Sequence, residues 1–263
     1  MHIDLSGKTA LVTGSTQGIG FATARQLAVA GARVFVHGRS EASVARALET
    51  LRSAVPQASF TGVVADLSTD AGCAALLATV PAVDVLVNNV GVFEIADFFE
   101  IDDATWRRFF DTNVLSGARM ARALVPAMVE RGWGRVIFIS SESALNVPPD
   151  AVHYGMTKAA VLAVSRGLAK RLAGTSVTVN AVLPGPTLTA ALERVLADGM
   201  RSTGQSLDEA AAQFVRQHRP SSILRRPSTI DEVAHMVVYV ASPQASATTG
   251  AALRVDGGVV DSL

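Results

Sequence analysis

The chain has 263 residues, 49% of them hydrophobic, with 23 Lys+Arg balanced by 23 Asp+Glu. That length buries an ordinary core, and a net charge of zero leaves no electrostatic footprint for nucleic acid or an anionic membrane. The single cysteine, Cys73, excludes an internal disulfide, fits a reducing compartment and reads as a small buried apolar residue.

Short apolar strands alternate with helical stretches from the start of the chain. Strands are expected at Lys8–Thr13, Arg33–His37, Phe60–Ala65, Asp84–Asn88, Gly134–Ser140, Ser176–Val182 and Ala251–Val255. Helices are expected at Ile19–Ala30, Glu41–Ala54, after Asp70, at Ala104–Arg131, Ala151–Ala173 and Ile230–Ala241. The strands are near-continuous apolar runs, as strands covered on both faces are. This rhythm predicts an α/β fold: a single-domain, Rossmann-type doubly wound parallel sheet flanked by helices, spanning residues 1–263. The segment 187–227 breaks the rhythm. It reads as two short helices, one near Ala190–Ala197 and one opened by the capping box Ser206-Leu-Asp-Glu209. An insertion of this length predicts a substrate lid, with a surface excursion that adds oligomer contacts as the alternative.

Two runs lack Asp, Glu, Lys and Arg, Leu172 to Leu192 and Val233 to Leu253, but Gly, Pro, Asn and His interrupt them. They read as elements joined by loops rather than membrane spans. The first eight residues lack the apolar core of a signal peptide, so no membrane association and a cytoplasmic location are expected. The five histidines show no metal-site spacing, and no metal is expected.

The first strand runs into Gly14-Ser15-Thr16-Gln17-Gly18-Ile19-Gly20, which opens a helix. Glycines there permit a tight turn and a close approach of backbone to phosphate, and the helix N-terminus offers free N–H groups to an anion. The second strand ends in Gly38-Arg39 where an acidic residue would hold a ribose 2′-hydroxyl. Arg39 instead suits a 2′-phosphate, so NADP(H) is favoured. NAD(H) is the alternative, with Arg39 solvated and Glu41 serving the ribose. Asp66-Leu67 ends the third strand within reach of an adenine, although Asp66 could equally cap a helix. Asn88, Asn89 and Gly91 end the fourth, where ligands bind in such folds and where turns also form.

Tyr154 and Lys158 are one helical turn apart on one face. A free phenol titrates near pKa about 10, so acting as a base near pH 7 needs roughly 4 kcal/mol of help. An ammonium about 4 Å away supplies about 4 kcal/mol at an effective dielectric of about 20. Ser141 closes the fifth strand at the same sheet edge, and its hydroxyl could hold a substrate carbonyl while Tyr154 protonates the oxygen. Ser140 and Ser143 are rivals for that role. Asn113 is a polar amide inside a helix: either it holds a water that relays protons to Lys158, or it faces solvent. His153 projects away from Tyr154 and reads as a bystander.

With these motifs in order, nearly the whole chain resembles the short-chain dehydrogenase/reductase family. The resemblance rests on Thr13-Gly14-x-x-x-Gly18-Ile19-Gly20, Asn88-Asn89-x-Gly91, Asn113, Ser141 with Tyr154-x-x-x-Lys158, and Pro184-Gly185. It implies an Asn113–Ser141–Tyr154–Lys158 tetrad, with Lys158 also bonding the nicotinamide ribose. It further implies that the Pro184, Gly185, Thr187 and Thr189 loop meets the nicotinamide amide, with Thr189 the main side chain. A homotetramer, or less often a dimer, is implied as well. Val90 replaces the family's usual Ala, Gln17 stands where many NADP-preferring members carry a basic residue, and Glu142 after Ser141 is unusual.

The expected activity is an NADP(H)-dependent reductase of a small ketone or aldehyde, reversible as an alcohol dehydrogenase. A 3-oxoacyl-thioester reductase serving an acyl carrier is the enzymatic alternative, with Arg194, Arg225 and Arg226 as candidate carrier contacts. A catalytically silent NADP sensor is the non-enzymatic one. Leu188, Leu192, Val195, Leu196 and Phe214 predict a largely apolar wall to the substrate pocket.

Overall fold

A computed structural model describes residues 2–80 and 82–262. Seven parallel strands form the central sheet: β1 (Thr9–Val12), β2 (Arg33–Gly38), β3 (Phe60–Val64), β4 (Val85–Asn88), β5 (Gly134–Ile139), β6 (Val177–Pro184) and β9 (Ala252–Val255). Their spatial order is β3-β2-β1-β4-β5-β6-β9. Two residues each of β7 (Thr187–Leu188) and β8 (Ser228–Thr229) make a second, minimal parallel pair. The expected sheet strands are all present, within two residues at each end.

Period-two alternation sends successive side chains to opposite faces. Val85 and Val87 therefore join the core under α1 (Gly18–Val29), α2 (Glu41–Ala54) and α9 (Ile230–Ala241). Leu86 joins the other core, under α3 (Asp70–Thr79), α5 (Ser116–Glu130) and α6 (Val152–Arg171). Cys73 lies in that second core, its burial pushing the thiol pKa up. Apolar residues on both sheet faces explain why the strands read as unbroken hydrophobic runs.

The expected long helix over 104–131 is two α-helices, α4 (Asp103–Phe110) and α5, joined by a π-helical turn at Asp111–Leu115. Such a bulge inserts an extra residue into a helix and commonly marks a functional position. Here it carries Asn113, which is buried, so the solvent-facing alternative is excluded.

The excursion after β6 holds α7 (Ala190–Thr203) and α8 (Leu207–His218), longer than expected for the first. The Ser206–Glu209 capping box forms as the sequence suggests, with side chain and backbone bonded reciprocally. Leu196, Ala210 and Ala211 make a small core of their own, and Leu192 and Phe214 pack against it. Pairing of β7 with β8 ties the two ends of the excursion together, a feature the sequence does not announce. Among the described residues, no helix is long and apolar enough to cross a membrane.

The strand order reverses beside β1, leaving a crevice beyond the carboxyl ends of β1 and β4. Gly20 is where the loop after β1 closes most tightly. A Cβ there would lie 2.5 Å from both the Gly14 carbonyl oxygen and Asn89 Nδ2. Gly20→Ala is expected to lower stability by about 1–3 kcal/mol through overpacking, measured by urea unfolding, and to weaken dinucleotide binding in parallel.

Candidate functional site

The crevice is a cleft of about 470 Å³, lined by the Gly14–Gly20 turn, the His37–Arg39 end of β2, Asp66–Ser68, Asn89–Val92 and the start of α7. A second recess of about 210 Å³ holds Ser141, Tyr154, Lys158, Pro184, Gly185 and Thr187. Ile19, Asn89, Gly91 and Val92 line both, so the two are one continuous groove.

Each wall has a reason to stand where it does. Asn89 Nδ2 donates to the carbonyls of Thr13 and Gly14, at 3.0 and 2.9 Å, and its N–H donates to Thr13 Oγ1. This ties the loop after β4 to the loop after β1. His37, absent from the expected site, makes the second tie. Its Nδ1 accepts from the Gly14 N–H at 2.9 Å, and its Nε2 lies 3.0 Å from the Ala65 carbonyl. The two contacts together fix the neutral tautomer protonated at Nε2. Burial holds the His37 pKa below its usual value. The signal available in the sequence was a polar ring ending an otherwise apolar strand.

Most of the expected cofactor residues meet in the cleft: Gly14, Thr16, Gln17, Gly18, Ile19, Gly20, Arg39, Asp66, Leu67, Asn89, Gly91 and Thr189. Ser15 does not. It is fully buried beneath the loop, donating to the Val12 carbonyl and accepting from the His37 N–H. The residues do fit a dinucleotide. No side chain caps the N-terminus of α1 and no acid sits in its first turn, so its amides face the cleft unopposed. Arg39 is exposed at the cleft rim. Asp66 accepts from the Ser68 N–H and hydroxyl, which together hold its pKa below the usual carboxylate range. The α3 cap is Thr69, so Asp66 shapes a turn rather than capping the helix.

In the second recess, Lys158 is buried and Nζ donates to the Ile139 carbonyl at 3.0 Å. Ser140 Oγ donates to the Lys158 carbonyl, which uses that serine to dock α6 on β5 and leaves Ser141 facing the recess. Tyr154 is half-buried, hydrogen-bonded to Ser141 and edge-on to Phe93. Asn113 Oδ1 accepts from the Val92 N–H at 2.7 Å, and Nδ2 donates to the Val92 carbonyl and Thr157 Oγ1. Its amide thus braces the groove wall beside Lys158. His153 is buried against Trp106 and Phe109, the bystander expected.

One electrostatic expectation changes. Lys158 Nζ sits 5.6 Å from the Tyr154 ring centroid, and burial dominates both groups. It pushes the phenol up to about 12 and pulls the ammonium down to about 8. The phenol therefore holds its proton rather than acting as a base, because burial disfavours its charged form.

Thr187 Oγ1 donates to the Gly185 carbonyl, and Thr189 caps α7 through the Leu192 N–H. Both line the groove at its two ends. Glu142 is buried beside Ser141 and paired with Arg219, a contact spanning 77 residues of sequence. Among the described residues no cluster of His, Cys, Asp and Glu could hold a metal ion.

A nucleotide-sized cleft at the strand-order reversal, joined to a buried Ser–Tyr–Lys recess, defines a nicotinamide-dependent oxidoreductase of the short-chain type. The sequence profile described as "Enoyl-(Acyl carrier protein) reductase" matches residues 14–260, and the chain belongs to the short-chain dehydrogenase/reductase family. It is 45% identical over 263 residues, all of both chains, to the "Uncharacterized oxidoreductase YvaG" of Bacillus subtilis (strain 168). It is 37% identical to the galactitol 2-dehydrogenase (L-tagatose-forming) of Cereibacter sphaeroides, over 97% of this chain and 95% of that one. L-Sorbose reductase from Gluconobacter frateurii, solved with NADPH and L-sorbose, superposes with a TM-score of 0.92 at 29% identity over the whole of both chains.

The buried, neutral His37 makes a prediction about acid. Its folded pKa lies below the unfolded value of about 6.5, so its contribution to stability is complete above about pH 6.5 and is lost as pH falls through the folded value. Burial lowers the His153 pKa as well, so His153 acts in the same direction. The melting temperature should fall as pH drops below about 6.5. His37→Asn, which keeps an acceptor for the Gly14 N–H, should flatten that fall without abolishing it. A profile identical to the parent's would remove His37 from the account.

Proposed function

We propose that the protein is an NADP(H)-dependent reductase of small ketones or aldehydes, running in reverse as a secondary-alcohol dehydrogenase. The observation that carries this reading is the groove itself, which joins an uncapped helix N-terminus to Ser141, Tyr154 and Lys158 in one continuous space.

The amides at the start of α1 and the glycines before it would receive the pyrophosphate. Arg39 at the rim would pair with a 2′-phosphate, in keeping with the NADPH in the sorbose reductase crystals. Lys158 would bond the nicotinamide ribose, and Thr189 and the Pro184–Thr187 loop would meet the amide. When bound, the cofactor supplies the hydride for the carbonyl carbon.

The chain's own residues manage the oxygen. Tyr154 O–H delivers the proton, and a phenol held protonated at neutral pH is the state reduction requires. Ser141 steadies the oxygen as charge develops on it. Lys158, its pKa near 8, remains mostly cationic at pH 7 and stabilises the phenolate once the proton has gone. Asn113 acts through Val92 and Thr157, fixing the wall on which Lys158 rests. The excursion over 187–227 serves as the lid, and the whole chain acts as one domain. A homotetramer or dimer in the cytoplasm completes the reading.

The acyl-carrier alternative draws on the acyl carrier that the description of the matching family names. A panel of small ketones tested against acyl-carrier thioesters, followed by NADPH absorbance, separates the two. Turnover of the small ketones supports the first reading, and turnover of thioesters alone supports the second.

Tyr154→Phe should reduce turnover by at least about 10²-fold, within the range of general acid catalysis, while NADPH affinity measured by fluorescence stays near the parent's. Turnover retained in that variant removes the assignment. Arg39→Asp should weaken NADP(H) by about 10–100-fold, the worth of a charge-assisted pair, and move preference toward NAD(H). An unchanged ratio of kcat/KM for the two cofactors would remove Arg39 from the 2′-phosphate site.

A further inference from the structure

Glu142 is a buried carboxylate beside the reacting groups, 4% exposed, with no part in the proton transfer from Tyr154. A carboxylate there is costly unless it is paired and hydrogen-bonded. It has four donors. Oε2 accepts from Ser141 Oγ at 2.5 Å, from the Ser143 N–H at 2.8 Å and from Ser143 Oγ at 3.0 Å. Oε1 accepts from Arg219 Nε at 2.8 Å. Arg219 closes the C-terminus of α8, so the last of these donors is delivered by the excursion and not by the sheet.

Ser141 carries a single hydroxyl proton, and it goes to Glu142. While it serves Glu142, Ser141 has no second proton to offer Tyr154 or a carbonyl. For Ser141 to donate to a carbonyl, it must take its proton back from Glu142. The carboxylate then keeps three of its four donors, Arg219 among them. Without Arg219, the full charge of Glu142 would hold the serine proton more tightly.

The surroundings of Tyr154 leave few other charges to act on it. Lys158 faces it from its own helix, Glu142 from the loop after β5, and Arg219 from the end of α8. From the loop after β4, Asn89, Gly91, Val92 and Phe93 line the recess, and none of these is charged. Glu142 disfavours the phenolate and Arg219 favours it.

We propose that Glu142 is a positioning residue that holds the Ser141 hydroxyl, and that Arg219 is its counter-charge carried by the lid, so that Ser141 and Tyr154 are set for reaction only when the lid is docked. This rests on the reading of Tyr154 as proton donor, and the following test separates the two. The chain has two tyrosines, Tyr154 and Tyr239. In a Tyr239→Phe background, the ultraviolet absorbance of phenolate reports Tyr154 alone and requires no turnover. Glu142→Gln should move that titration down by about one pH unit, and Arg219→Gln should move it up by a comparable amount, as removal of a near charge of either sign does. Arg219→Lys, which keeps the charge, should titrate close to the background protein.

Shifts of opposite sign support the pair, because a merely structural role has no reason to reverse sign with charge. No shift in Glu142→Gln, an upward shift there, or shifts of one sign in both variants would overturn it. If Arg219→Gln does not fold, the Glu142→Gln titration decides alone. An inactive protein with opposite shifts defeats the redox reading and leaves the pair standing. An active protein without them defeats only the pair.

Discussion

Burial of the sheet on both faces is the constraint from which the rest follows. Strands covered by helices above and below carry mostly apolar side chains along their length, and most of the polar residues that line the groove collect where the strands end. All seven strands run parallel, which gathers their carboxyl ends at one edge. The reversal of strand order beside β1 then opens the space between the loops after β1 and β4. The glycine turn, the Asn89 clamp, Ser141 and the Pro184–Thr187 loop meet because each ends a strand of that one sheet.

The same dry interior puts three buried or half-buried polar side chains around the groove to use. His37 serves Gly14 and Ala65, Asn89 serves Thr13 and Gly14, and Asn113 serves Val92 and Thr157. Each replaces the water that burial removes, and each fixes a loop that would otherwise have several conformations. Preorganisation of the groove is thus a consequence of satisfying buried donors and acceptors. The cost appears at Tyr154 and Lys158, where the same exclusion of water moves the phenol up and the ammonium down.

Legibility in the sequence followed the range of the interaction involved. The strands, and α2 and α9 to the residue, were readable because period and capping are local properties. So was the spacing of Tyr154 and Lys158, which depends only on helix geometry. The π-helical turn at Asn113 was not, since the pattern over 104–131 is consistent with a plain helix and only tertiary contacts select the bulge. His37 was missed because its partners, Gly14 and Ala65, lie 23 and 28 residues away. The tyrosine–lysine electrostatics were misjudged for a related reason. Spacing gives the separation of two charges, whereas the loss of water around them depends on what the whole chain packs over them.

Glu142 is the clearest case of that limit. In the sequence it is only an acid after a serine; in the fold it is held by the residue that ends α8. A buried ion pair is weak evidence for stability, because its desolvation cost offsets much of its attraction. Two apolar side chains of similar volume would hold α8 against the β5 loop at lower cost. What they would not do is accept the proton of Ser141 or place opposite charges near Tyr154. The pair is therefore better explained by the chemistry proposed beside it than by the packing around it.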